Sequence, residues 1–307
     1  MTRIIWKNGQ LLPETEAQVS IYDSSMMFGD TCFEMMRTFR KRTFRLNEHL
    51  DRLYASAQAV GIEIPYTKRE LHEAHENLLI QNRHAFSEDD EIRSLINVSR
   101  GTLPIYESMG LPMGPWVMMT CFPLRWIIKG SYKLYQEGVH AVIPSQRTIP
   151  AQYLDPKIKN RSRLHYKLAD IEAKRQDPNA WALLLDDHGF VAEGSGSNFF
   201  IVKEREIFTP QGNNCLRGIS RAFVFNLCRS GDLQYRECNL EDYDVMTADE
   251  AFFTCTPYSI LPCTRFNFRP IGDGQVGKVT KRLIHLWGES VNCHFVEQAR
   301  KWDEANS

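Results

Sequence analysis

Four cations, Lys157, Lys159, Arg161 and Arg163, crowd the stretch YLDPKIKNRSRLHYKLADIEAK (153–174) just ahead of a helical periodicity. The start of a helix is the end where the macrodipole disfavours positive charge. The cluster is therefore either a solvated basic loop or a device that lowers one lysine's pKa, so that a neutral amine can attack a carbonyl. In FVAEGSGSNFF (190–200) Glu193 follows apolar residues and precedes Gly194-Ser195-Gly196-Ser197 and Asn198. A carboxylate in an apolar strand is costly unless a cation meets it, and a protonated pyridine nitrogen would be one; a surface glutamate at a strand end is the plain alternative. CLRGISRAFVFNLC (215–228) turns at Gly218 and opens a helix at Ile219-Ser220, whose free N–H groups suit an anion. Arg52 stands four residues after Glu48, as an ordinary helical ion pair or as a fork for a phosphate. IGDGQVGKVTKRL (271–283) contains a literal G-x-G-x-x-G, but a dinucleotide site needs a second strand with an acid ~20 positions on, and the 307 residues leave no room for it. Val279 stands where a P-loop needs a hydroxyl, so these glycines read as a turn into a C-terminal helix.

The elements around these residues mix strands and helices. IIWKNGQLLP is a hairpin turning at Asn8-Gly9, and CFEMMRTFRKRTFRL is two strands around a basic turn. NEHLDRLYASAQAVGI predicts a helix with Asn47 as its N-cap and Gly61 at its end, and a second helix runs from about Lys68 to Asn82. EIRSLINVSRG and GPWVMMTCFP are strands; a later helix carries Leu164, Leu168 and Ile171 on one face. Residues 181–210 are strands joined by tight turns. Helices and strands do not alternate as in a parallel sheet, so the class is α+β with mixed sheets in two α/β domains. The expected boundaries are a smaller domain over 1–122, a connection over 123–136 and a larger domain over 137–307.

A formal net charge of −1 gives no basic field for nucleic acid or an anionic membrane. No run of ~18 apolar residues occurs, and eight scattered cysteines without C-x-x-C spacing read as thiols of a reducing compartment. A soluble cytoplasmic protein is expected. His72 and His75 lack zinc-helix spacing and read as a solvated helix face, so no metal site is expected.

Taken in order, FGDTCFEMMRTF, FRLNEHLDRLYASA, DPKIKNRSRL, VAEGSGSNFF, LRGISR and DEAFFTCTPYSILP resemble the class IV pyridoxal-phosphate aminotransferases, which include branched-chain aminotransferases, D-amino-acid aminotransferases and aminodeoxychorismate lyase. The resemblance implies the D-amino-acid aminotransferase-like fold type IV and pyridoxal 5'-phosphate as cofactor. It implies Lys159 as the Schiff-base lysine and general base and acid, and Glu193 as the pyridinium partner that makes the ring an electron sink. Arg52, the backbone at Ile219, Ser220 and Thr256 match the phosphate cup, Asn198 the residue beside the phenolic oxygen, and Leu216 the one on the ring. A homodimer sharing its pocket between subunits is implied as well.

The resemblance is least complete at the substrate. Branched-chain enzymes hold the carboxylate on a turn with two N–H groups, whereas this chain has CTPY, and Pro257 has no N–H. The Arg-x-His of D-amino-acid enzymes is replaced by Ile105 and Glu107 in RGTLPIYE, and Phe33 stands where many members have tyrosine. Arg37 and Arg93 are the candidate carboxylate clamps, Arg37 first because a strand's period of two puts Phe33, Met35 and Arg37 on one face. The expected reaction moves an amino group between an apolar or branched-chain L-amino acid and a 2-oxo acid such as 2-oxoglutarate. A D-amino-acid or amine transaminase, a pyruvate-eliminating lyase and a non-catalytic cofactor-binding protein are the alternatives.

Overall fold

A computed structural model describes residues 2–305. The chain divides into two units: one runs to Trp126 and takes in Ile158–Ser162, the other comprises Ile127–Lys157 and the described chain from Arg163 on.

In the first unit, β1 (Ile4–Lys7) and β2 (Gln10–Pro13) form the expected hairpin, with Asn8 and Gly9 both at positive φ. Helix α1 (Ser24–Phe28) precedes β3 (Thr31–Phe39), which turns at Arg40-Lys41 into β4 (Arg42–Thr43). Helices α2 (Leu46–Ala59) and α3 (Lys68–Gln81) follow, then β5 (Ile92–Ser99) and β6 (Trp116–Pro123). The six strands make one antiparallel sheet in the order β2-β1-β6-β5-β3-β4. Strand β6 alternates half-buried and buried residues along its whole length, and β5 does so up to Val98, as a sheet covered on one face does. Cys32, Met36, Ile96, Val98, Val117 and Met119 form the covered face and pack with Leu50, Leu53, Leu71 and Leu78 of the two helices. At roughly 1.5–3 kcal/mol per large apolar side chain, this layer is what holds α2 and α3 on the sheet.

Two local readings differ. Helix α2 begins at Leu46 after a left-handed Arg45, so Asn47 is inside the helix, and its Oδ1 meets His72 Nδ1 at 2.9 Å. His75 is not on a solvated face: it is fully buried, with Nε2 2.7 Å from Ser94 Oγ on β5. Helix α3 turns inward to supply core leucines, and the histidine comes in beside them. Its start has a capping box of Thr67 and Glu70.

Helix α4 (Arg125–Ile128) lies at the boundary. The second unit contains α5 (Ser131–Glu137), β7 (Val139–Val142), α6 (Leu164–Gln176), β8 (Ala180–Leu185), β9 (Val191–Gly194), β10 (Asn198–Lys203) and β11 (Glu206–Pro210). It continues with α7 (Ile219–Ser230), β12 (Tyr235–Cys238), α8 (Asp242–Met246), β13 (Glu250–Cys255), β14 (Ser259–Phe266), β15 (Arg269–Pro270), α9 (Lys278–Ser290) and α10 (Phe295–Glu304). Its sheet is mixed, parallel where β7 meets β8 and β14 and where β11 meets β12, antiparallel elsewhere. Phe199 and Phe200 lie opposite Phe253 and Phe252, all four fully buried. The stripe on α6 is also different from expectation: Leu164, Leu168 and Ile171 are exposed, and the helix packs on β8 through Ala169 and Ala173. Small side chains bring the α6 backbone close to the sheet, which turns the larger residues outward.

Candidate active site

In the first unit the segment carrying Lys159 is fastened by its backbone. Phe33 N–H donates to Lys159 O (3.0 Å), Arg161 N–H donates to Thr31 O (2.9 Å), and Cys32 and Asn160 form an antiparallel bridge. Lys159 N–H donates to Ser56 Oγ (3.1 Å) on α2, where Ser56 is buried. Peptide units on both sides of the lysine are thus fixed. Lys159 Nζ lies 4.6 Å from the centre of the Phe33 ring.

Arg52 does not pair with Glu48, which bonds Arg45 instead. Its Nε and Nη2 fork onto Glu34 Oε1 and Oε2 at 2.6 and 2.7 Å, and His49 Nδ1 is 2.6 Å from Glu34 Oε2. Glu34 and His49 are fully buried. Burial alone would raise the Glu34 carboxyl, but the neighbouring Arg52 and His49 outweigh it and bring it down to about 2; burial lowers His49. Glu34 is a buried acid in an apolar strand, the same signal that singled out Glu193, and here the cation that meets it is Arg52.

The β3–β5 register places Phe33 opposite Asn97, Met35 opposite Leu95 and Arg37 opposite Arg93, so these six residues share the face away from α2 and α3. Arg37 is buried, with Nε donating to Thr38 O (3.2 Å) and its guanidinium 3.9 Å from the Phe39 ring centre. Arg93 is half-buried, with Nε 2.7 Å from Met35 Sδ and its guanidinium over Phe122; burial lowers its pKa.

In the second unit Glu193 is buried on β9 and accepts from Tyr166 O–H on Oε1 (2.5 Å), from Leu216 N–H on Oε2 (3.1 Å) and from the Asn198 amide on Oε2 (3.4 Å). Burial and the Glu193 charge push the Tyr166 phenol far above its usual range, so it stays a donor. Asn198 also donates to Leu216 O (2.8 Å), and a Cβ on Gly218 would lie 2.1 Å from Asn198 Oδ1. Only glycine lets the start of α7, with Ile219 and the buried Ser220, come this close to β10. Thr256 and the buried Pro257 form the tip of the turn between β13 and β14, where Ser259 adopts a positive φ and its carbonyl accepts from Thr254 Oγ1 (2.6 Å). Tyr166 was not singled out in the sequence, because nothing local tells a tyrosine on a helix which carboxylate it will meet.

The two possible anion sites at helix starts are not alike. At α9 the Val279 and Thr280 N–H groups donate to Glu250 at 2.9 and 2.8 Å, so a side chain of this protein already fills that end. At α7 the cap is Gly218, which has no side chain to offer. The glycines of 272–277 are accordingly structural: Gly272 and Gly274 have φ of +54° and +76°, and a Cβ on Gly277 would overlap the Glu250 side chain. Among the described residues no three His, Cys, Asp or Glu are grouped to hold a metal ion, and no helix is long and apolar enough to cross a membrane.

The family model for amino-transferase class IV matches residues 31–266. The chain is 35% identical over 91% of its length to a Methanocaldococcus jannaschii protein named "Putative branched-chain-amino-acid aminotransferase", 93% of which is covered. It is 31% identical over 90% of its length to the D-alanine aminotransferase of Bacillus licheniformis, 93% of which is covered. The crystal structure of the T.th. branched-chain amino acid aminotransferase complexed with N-(5'-phosphopyridoxyl)-L-glutamate superimposes with a TM-score of 0.83 at 29% identity, covering 94% of each chain. With the family model spanning both β3 and β14 and relatives matched nearly end to end, the chain belongs to the class IV aminotransferases.

Proposed function

We propose that this enzyme uses pyridoxal 5'-phosphate to move an amino group from an apolar or branched-chain L-amino acid to a 2-oxo acid such as 2-oxoglutarate. The observation that carries the reading is the fastening of Lys159, whose backbone is bonded to Phe33, Ser56 and, through Arg161, Thr31, with its amine 4.6 Å from the centre of the Phe33 ring. A lysine that alternately bonds a cofactor and carries a proton needs a fixed backbone to place its amine.

The remaining residues fit such a cofactor. Glu193 is a buried carboxylate suited to a cationic ring nitrogen, and the Leu216 and Asn198 donors fix its plane. Arg52, aligned by Glu34, and the backbone of Ile219, Ser220 and Thr256 are assigned to the phosphate; the open start of α7 supports this over the closed start of α9. Bound pyridoxal phosphate supplies an electrophilic carbon and an electron-withdrawing ring. Lys159 Nζ takes the proton from the donor's α-carbon and returns it on the cofactor side. Phe33, Arg37 and Arg93 share the strand face that carries the Lys159 contact, and they are assigned, as is Pro257, to the substrate. The glutamate adduct bound by the T.th. enzyme supports glutamate and 2-oxoglutarate as one substrate pair. The exposed Met26, Met27, Phe28, Ile105 and Met109 support a homodimer, and eight cysteines outside any disulfide suit a cytoplasmic setting.

Borohydride reduction of the purified protein followed by peptide mapping should place the cofactor on Lys159, and L-leucine should discharge its absorbance much faster than D-alanine. A label on Lys157 or Lys167 sinks the lysine assignment, and a preference for D-alanine sinks the substrate assignment.

A further inference from the structure

We propose that Arg161 is the cation that holds the α-carboxylate of the amino donor. The proposal rests on the reading of Lys159 above. Residues 159 and 161 are two apart on a segment paired to β3, and in extended chain such residues project to the same side. Both side chains do reach one ring: Lys159 Nζ lies 4.6 Å and Arg161 Cζ 3.7 Å from the centre of Phe33. An amino acid carries its amine and its carboxylate on the same carbon. A cation that holds the carboxylate while a lysine works at that carbon must therefore lie this near the lysine.

The guanidinium is also set in place before any ligand arrives. Asn97 Oδ1 accepts from its Nε and Nη2 at 3.1 and 2.7 Å, and Phe33 supports its plane. A guanidinium has five N–H donors in a rigid fork that matches a carboxylate, so orientation fixed in advance lowers the entropic cost of binding. Arg161 is exposed, whereas Arg37 is buried with its guanidinium on Phe39.

The test uses the cofactor-loaded enzyme and two ligands without an amine, 4-methylpentanoate and its uncharged amide, with binding read by calorimetry and by cofactor absorbance. Arg161→Ala should weaken the acid roughly 10- to 100-fold and leave the amide unchanged. Arg161→Lys should restore part of the loss, because a point charge remains without the fork. Arg161→Gln keeps a side chain over Phe33 and a donor for Asn97, and it should behave as alanine does; it also serves if the alanine variant fails to fold. Unchanged acid binding in the Ala and Gln variants would overturn the proposal, as would an equal loss for acid and amide, or an acid-specific loss in Arg37→Ala alone. Wild-type protein carrying no cofactor on Lys159, seen in the absence of added ligand, would overturn the parent reading and the proposal with it.

Discussion

Glu34 takes the Arg52 guanidinium on both oxygens and His49 on one, yet it is fully buried on β3. The cost of burying that charge is offset only while its partners remain, so removing one of them is more harmful than replacing the whole set. Its carboxyl sits near 2 against about 4.5 in the unfolded chain. A depressed folded pKa adds stability that is fully present above the unfolded value and drains away as pH falls from about 4.5 toward 2. Acid unfolding of the wild type should therefore steepen across that window. Glu34→Gln should flatten that part of the stability-versus-pH curve and lower stability at pH 7, measured by denaturant titration at each pH. A curve of unchanged slope would mean that Glu34 does not titrate against Arg52 and His49.

At the scale of elements, α7 and α9 both begin at a glycine and differ in what meets their N–H groups. Glu250→Ala removes the carboxylate from α9 and should cost ~0.5–2 kcal/mol of stability, as lost N-terminal caps do. Gly274→Ala places a side chain at φ +76° and should cost about 1 kcal/mol. Both should leave cofactor affinity nearly unchanged, whereas Arg52→Ala should weaken it by ~1.5–3 kcal/mol. Melting curves and cofactor dissociation measured on the three variants separate the two effects. Cofactor loss in Glu250→Ala to the extent of Arg52→Ala would return the phosphate to the glycine-rich turn.

Across the whole molecule, the informative surface belongs to the first unit. Helix α1 and the turn at 104–109 are neighbours, joined by Ser24 N–H to Gly101 O (2.8 Å) and by the Tyr22 and Tyr106 rings at 4.6 Å. Met26, Phe28 and Ile105 are 65%, 67% and 75% exposed there, a group of large apolar side chains of the kind that marks an interaction surface. Light scattering should give roughly twice the 35.6 kDa chain mass. Phe28→Glu combined with Ile105→Glu should shift the protein toward monomer, since a dimer buries the same patch on both copies. A wild-type monomer at micromolar concentration, or a dimer indifferent to both charges, would rule this face out.

Local chemistry makes much of the protein legible in its sequence. The Asn8-Gly9 hairpin, the Arg40-Lys41 turn, the strands over 31–39, 92–99 and 116–123 and the helices behind them follow from periods and turn residues that act within a few positions. The lysine segment, Glu193 and the Ile219 helix start are recognisable because motif order survives in one chain. What the sequence alone does not determine is partnership at a distance. Glu34 meets Arg52 across 18 positions, Tyr166 meets Glu193 across 27, and Arg161 reaches Asn97 across 64. His75 turns inward and Leu164 outward for the same reason. A residue's period says which side of its own element it occupies, and only the packing of that element decides whether that side is covered and by what.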